Sequence, residues 1–321
     1  MSSDGIVKVI NALPISKLIS TVSAGLGKMY EPRHKRKMAD ATAYEINAIG
    51  EAMRNVADMP IVYNQDGVAI NSEDFNRLMQ RAGTRLVLQE TIKQHNIESV
   101  VDNAYEILEK EEVCSEEPVE QGWINRFFDS VADVSDEDLQ KLWGKILADE
   151  IKRPKSYSLR TLETLRNLSK EEAVLFRKIC TCRIATKEDS FLLNDTVFLK
   201  RHRINYGEIL QLSDCGLLNS SAFITRDEPV NKIKKFIFCN KELCLLAKTK
   251  NNMNFSLKIN NFPFTSAGHE LAKVLELEID NDAFLDFARK LKRENDGLEF
   301  TVSHYLPFSE NTIEAADENL L

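Results

Sequence analysis

The side chains of this chain best suited to bind a metal or move a proton are its histidines and cysteines. The cysteines are Cys114, Cys180, Cys182, Cys215, Cys239 and Cys244. Cys180-x-Cys182, with Cys215, Cys239 and Cys244 further on, can be read as scattered metal ligands. Zinc sites usually show closely spaced ligand pairs, and no CxxC pair or CxxH unit is present. The plainer expectation is reduced thiols that act as small buried apolar groups, with no metal and no cofactor. Among the histidines, His34 lies in a basic cluster and His95 at a helix end. His202, His269 and His304 follow without regular spacing. His269, next to Gly268, either faces a cleft or opens a helix, and the helix start is the simpler account.

No Walker A loop, GxGxxG, HExxH, GxSxG or HRD sequence occurs, so no nucleotide cradle, metalloprotease helix or nucleophile elbow is expected. No catalytic residue is assigned, and the protein is expected not to be an enzyme.

With 321 residues, 43% of them hydrophobic and 29% charged, the composition is that of a soluble globular protein with a full core. A net charge of −8 argues against coating nucleic acid over the whole surface. The opening MSSDG leads into no signal-type apolar region and cleavage site, so a cytoplasmic protein is expected, with peripheral attachment at the inner membrane as an extension of that reading.

Residues 5–30 are strongly apolar through Ile6, Val9, Ile10, Leu13, Leu18, Ile19, Val22 and Leu26, and Arg33, Lys35, Arg36 and Lys37 follow. Over residues 1–37, seven Lys/Arg face only Asp4 and Glu31, a net +5. The longest uncharged run, Leu18 to Gly27, is about half of the ~20 residues a bilayer span needs. Two main accounts stand. The segment lies in a membrane interface or mediates self-association, or it is a helix pair packed on the core or on another subunit. Nucleic-acid contact is a third.

Residues 38–121 read as a helical region, with helices over 38–59, 73–95 and 97–112, and an acidic linker rich in glutamate from Glu106 to Glu120. Residues 122–182 read as a compact helical domain. Leu139, Leu142, Trp143, Ile146, Leu147 and Ile151 form one apolar helical face. Asp136 and its neighbours cap that helix, and Ser169 to Glu172 form a capping box for a later one. Residues 183–308 read as an α+β winged-helix-like domain. Its strands are expected at 196–199, 223–225, 235–239, 255–259 and 300–305, its helices at 206–218 and 283–293, and a strand end entering a helix over 264–275. An acidic tail covers 309–321. The expected fold class is mainly α with a smaller α+β part.

The stretch GWINRFFDSVADVSDEDLQKLWGKILADEIKRPKSYSLRTLETLRNLSKEEAVLF, residues 122–176, resembles an uncharacterised bacterial family known only as a domain of unknown function. The resemblance extends upstream through GLGKMYEPRHKRKMADA and RAGTRLVLQETIKQHNIESVVDNA, so it covers well over half the chain. The run from LWGKILADEI to LRNLSKEEAVLF is more loosely similar to the abortive-infection alpha family of phage-defence proteins. Together the two resemblances imply a bacterial protein, cytoplasmic or membrane-associated, acting in antiviral defence. Neither carries a catalytic motif.

The functional expectation is a non-enzymatic defence-type effector or sensor, a homo-oligomer that acts through membrane association or self-assembly of its N-terminal segment. The alternative is a regulator that binds DNA or protein through the winged-helix-like part. Residues 201–275 carry eleven Lys/Arg against six Asp/Glu, and Lys232, Lys234 and Lys235 stand where a wing could touch phosphates. The expected recognition helix at 206–218 has Glu208 and Asp214 and no Lys or Arg. Base readout from it would be poor, which makes nucleic acid the weaker partner and protein the better one.

Overall fold

A computed structural model describes residues 12–26, 72–221, 224–231, 236–250 and 253–304. The chain forms two compact units, Met1–Leu159 and Arg160–Leu321.

Apolar residues at helical spacing build the first unit. Its described elements are α1 (Ala12–Leu26), α2 (Ser72–Leu108), α3 (Gln121–Val131) and α4 (Glu137–Lys152). The Asp136 carboxylate accepts from the Asp138 and Leu139 amides and starts α4 as expected. Trp143, Ile146, Leu147 and Ile151 are buried on one face of α4, against α1 and α2. Gly144 lets α2 approach: a Cβ there would stand 2.5 Å from Asn103 Cβ and 3.0 Å from the Val100 carbonyl. From α3, Phe127 meets Trp143 edge-on at 5.5 Å and stacks on Trp123 at 5.0 Å. The Trp123 indole donates to the Tyr157 carbonyl at 2.9 Å, so both tryptophans are core residues. The two helices expected at 73–95 and 97–112 are one helix, α2. Neither Gly nor Pro interrupts it near Asn96. The buried Asn96 amide finds its acceptor outside the helix, donating to the Ala132 carbonyl at 2.8 Å.

The second unit is built on α5 (Leu159–Arg166), which starts at the boundary, and α6 (Lys170–Thr181). Ser169 and Glu172 close the expected capping box of α6. Then come β1 (Ile184–Ala185), β2 (Ser190–Leu193), α7 (Thr196–Arg201), α8 (Tyr206–Asp214), β3 (Thr225–Val230), β4 (Phe236–Cys239), β5 (Leu243–Thr249) and β6 (Phe255–Pro263). The described part ends with α9 (Ser266–Val274), α10 (Asn281–Glu294) and β7 (Leu298–His304). All seven strands join one antiparallel sheet in the order β3-β6-β2-β1-β4-β5-β7. The nine-residue β6 serves two neighbours: Phe255 to Asn260 pair with β3, and Asn261 to Pro263 pair with β2. Ala283, Phe284, Phe287, Ala288 and Leu291 give α10 its buried face, where Phe287 meets Phe191 at 5.9 Å and Phe238 at 5.1 Å.

The fold is therefore mixed, with helices in both units and a large sheet in the second. Three expectations change. Residues 196–199 are helix α7, not a strand, because the Asp195 carboxylate accepts from the Phe198 amide at 2.8 Å and starts a helical turn. Strands β1, β2 and β5 lie where none was expected. The boundary between units falls inside 122–182, since α4 commits its apolar face to the helices before it in the chain.

Candidate functional site

Of the residues singled out near the N-terminus, Ile6, Val9, Ile10, Arg33, Lys35, Arg36 and Lys37 lie outside the described residues, as does the side chain of Leu13. Leu18 and Val22 are 0% exposed, and Ile19 and Leu26 are half-buried. Lys17 donates to the carbonyls of Ser115 at 2.7 Å and Ile151 at 2.8 Å. The described face of α1 is thus covered by its own chain. Lys232, Lys234 and Lys235 also lie outside the described residues.

A Ser–His pair occurs among the described residues. Ser190 Oγ lies 2.8 Å from His269 Nδ1, the spacing of a nucleophile and its base. Three features argue against that chemistry. Ser190 is fully buried in β2. Arg183, also buried, donates to the same Oγ at 3.3 Å. His269 Nε2 has no hydrogen-bond partner, so no carboxylate orients the ring. Burial, followed by the charges of Lys273 and Arg183, pushes the His269 imidazole down to about 4 from an ordinary 6.5. The Thr265 hydroxyl accepts from the Gly268 amide at 3.1 Å and caps α9, so His269 sits in a first helical turn, as read from the sequence.

Above pH 6.5 the imidazole is neutral in both folded and unfolded chains. Between that value and about 4, the unfolded chain takes up a proton and the folded one does not, so this group's contribution is lost as pH falls through that range. Urea melts of the parent and of His269→Gln should show a parent advantage at pH 7 that shrinks toward pH 4. A constant difference across that range would show that the ring titrates normally.

The second cluster lies where three helix ends meet. Cys182 follows α6, His202 follows α7 and Asp280 precedes α10. His202 Nδ1 lies 2.9 Å from Asp280 Oδ2, and its Nε2 lies 3.2 Å from Asp286 Oδ2. Cys182 Sγ lies 3.9 Å from the same Asp280 oxygen. The imidazole, 6% exposed, is held between two carboxylates. Burial pushes the Cys182 thiol up to about 11 and that of Cys180 up to about 12, so neither is a ready nucleophile at neutral pH. No spacing along the chain signals this convergence. Its one trace is the pair of residue types, an aspartate before a helix and a histidine after one.

Beside this cluster a cleft of about 500 Å³ opens between α7 and α10. Leu193, Val197 and Phe198 supply apolar wall, and Arg201, Arg289, Lys290, Lys292 and Arg293 supply charge. Only Asp195 and Asp286 line it as acids. Asp286 pairs with Arg201 at 3.0 Å and Arg289 at 3.5 Å, and Asp195 pairs with Lys290 at 3.0 Å. Although burial opposes it, the Phe198 amide and Lys290 hold Asp195 below the usual carboxylate range. Because α10 buries one face in the sheet, its basic residues are displayed on the other. The cleft can bind an anionic group with an apolar part, and it presents no arranged acid, base and nucleophile.

No curated protein and no solved structure matches the chain. The similarity to the abortive-infection alpha family is carried by none of these comparisons. The family model described as "Protein of unknown function (DUF2806)" matches residues 80–287, from within α2 to within α10, and takes in Cys182, His202, Asp280 and Asp286. With about two thirds of its length matched, this chain belongs to the DUF2806 family.

Proposed function

We propose that the protein is a non-enzymatic regulator whose second unit binds an acidic, partly apolar segment of a protein partner. The observation that carries this reading is the α7–α10 cleft, with apolar wall at Leu193, Val197 and Phe198 and five cations around it. Val197 is 76% exposed, an apolar group standing ready for a partner. Complementary charge around apolar contact favours such a segment and gives specificity to its capture.

The winged-helix-like reading of this unit is supported by element order. Helix α6, strand β2, helices α7 and α8, then strands β3 and β6 follow in sequence, and β6 lies between β2 and β3. Strands β4 and β5 are then an insertion between β3 and β6. Gly216, at φ +73°, turns the chain after α8 in a conformation that suits glycine. In the recognition-helix position, α8 exposes Tyr206 and Leu210 and carries no Lys or Arg. That composition favours protein contact over base readout. Action through the N-terminal segment draws no support from α1, whose Leu18 and Val22 are covered.

Fluorescence anisotropy at near-physiological salt tests the reading with three labelled probes of equal charge: a Glu/Leu peptide, a poly-Glu peptide and an oligonucleotide. The mixed peptide should bind best, and Arg289→Glu with Arg293→Glu should weaken it by about tenfold or more. Preference for the oligonucleotide, with a steep salt dependence, would replace the proposal with backbone binding to nucleic acid. No binding of the mixed peptide would end it.

A further inference from the structure

We propose that Cys182, His202 and Asp280 form a binding site for a thiophilic divalent cation of the zinc class. One ligand atom from each residue lies within 4.8 Å of the other two, and Asp280 Oδ2 faces both Cys182 Sγ and His202 Nδ1. Zinc sits about 2.3 Å from thiolate sulfur and about 2.0–2.1 Å from imidazole nitrogen, so tetrahedral ligands stand roughly 3.3–3.6 Å apart. The 2.9 Å separation of His202 from Asp280 and the 3.9 Å separation of Cys182 from Asp280 fall on either side of that spacing. Tetrahedral ligation requires the three side chains, now within 4.8 Å of one another, to shift toward that spacing.

The roles of the remaining atoms fit a ligand set. Asp280 Oδ1 accepts from the Ala283 amide at 2.9 Å and caps α10, which leaves Oδ2 turned toward the cluster. With Nδ1 on the cation, His202 carries its proton on Nε2, where Asp286 Oδ2 waits at 3.2 Å. A carboxylate behind a ligating imidazole fixes the ring and its tautomer. Arg201 and Arg289 in turn hold Asp286. Mixed sulfur, nitrogen and oxygen donors suit zinc and disfavour calcium and magnesium, which take oxygen. Asp280, one-third exposed, gives access from solvent, and a water completes four-coordination. Binding releases the thiol proton of Cys182. The cation would tie together the ends of α6, α7 and α10, two of which wall the cleft. The inference stands independently of what the cleft binds.

Cobalt(II) titration of the full chain under reducing conditions tests it. The expected result is one tight equivalent with a thiolate-to-cobalt charge-transfer band and the visible absorption of a tetrahedral ion, both bleached by zinc. Cys182→Ser should lose the band. Asp286→Asn, which leaves all three ligands in place, should weaken zinc binding by about tenfold or more. A parent protein without the charge-transfer band overturns the site, and that result needs no variant to fold. A band that persists in Cys182→Ser overturns it too, by assigning the metal to another cysteine.

Discussion

Replacing Trp143 with Ala is expected to destabilise the first unit by about 3–5 kcal/mol. The indole is 1% exposed and its removal leaves a hole that its neighbours are poorly placed to fill. On one side stands Phe127, already stacked on Trp123. On the next turn of contact, α2 is already against α4 at Gly144, where not even a Cβ fits without displacement. A loss of this size is a large fraction of the roughly 5–15 kcal/mol by which domains are stable. The urea midpoint should fall sharply, whereas Trp143→Phe, which keeps an aromatic ring in place, should lose much less. A Trp143→Ala melt that overlays the parent would remove Trp143 from the core.

Deleting residues 1–30 is expected to cost at least as much. Leu18 and Val22 are fully buried, and burying side chains of this kind contributes about 1.5–3 kcal/mol each. The deletion also uncovers Phe128 and Ile124, against which α1 is seated at Gly25. Lys17 adds a polar term. Its ammonium caps the Ile151 carbonyl in the last turn of α4, where carbonyls lack intrahelical partners. Burial lowers the Lys17 pKa, opposed in part by Cys114, Glu117 and Glu150 nearby. The shortened chain should show a lower urea midpoint and faster amide exchange in α3 and α4. The membrane or self-assembly account of this segment forecasts a folded, more soluble chain that loses liposome flotation or self-association. An unchanged midpoint with either of those losses would restore that account.

Much of the helical framework was legible in the sequence. The apolar face from Leu139 to Ile151, the Asp136 cap and the Ser169–Glu172 capping box are local signals, and each element formed where they placed it. Periodicity and capping report only what a residue does within its own turn or two. The run that forms helix α7 reads as a strand because so short a stretch of mixed residues has no decisive period, and the Asp195 side chain decides it. The two-neighbour role of β6 and the places of β2 and β5 depend on which strands pair, information no single strand carries. The basic face of α10 was visible as an amphipathic pattern, but the cleft needs α7 opposite it. Cys182, His202 and Asp280 look like scattered residues in the sequence, with the first and last 98 positions apart. The tertiary structure alone decided that they meet, because the packing of α10 against α7 and the hydrogen bond from the Asp280 amide to the Thr181 carbonyl bring three helix ends together. In the same way, α1 could be read as an anchor or as core from composition alone. Hydrophobicity says that a face will be covered, and only the packed structure says by what.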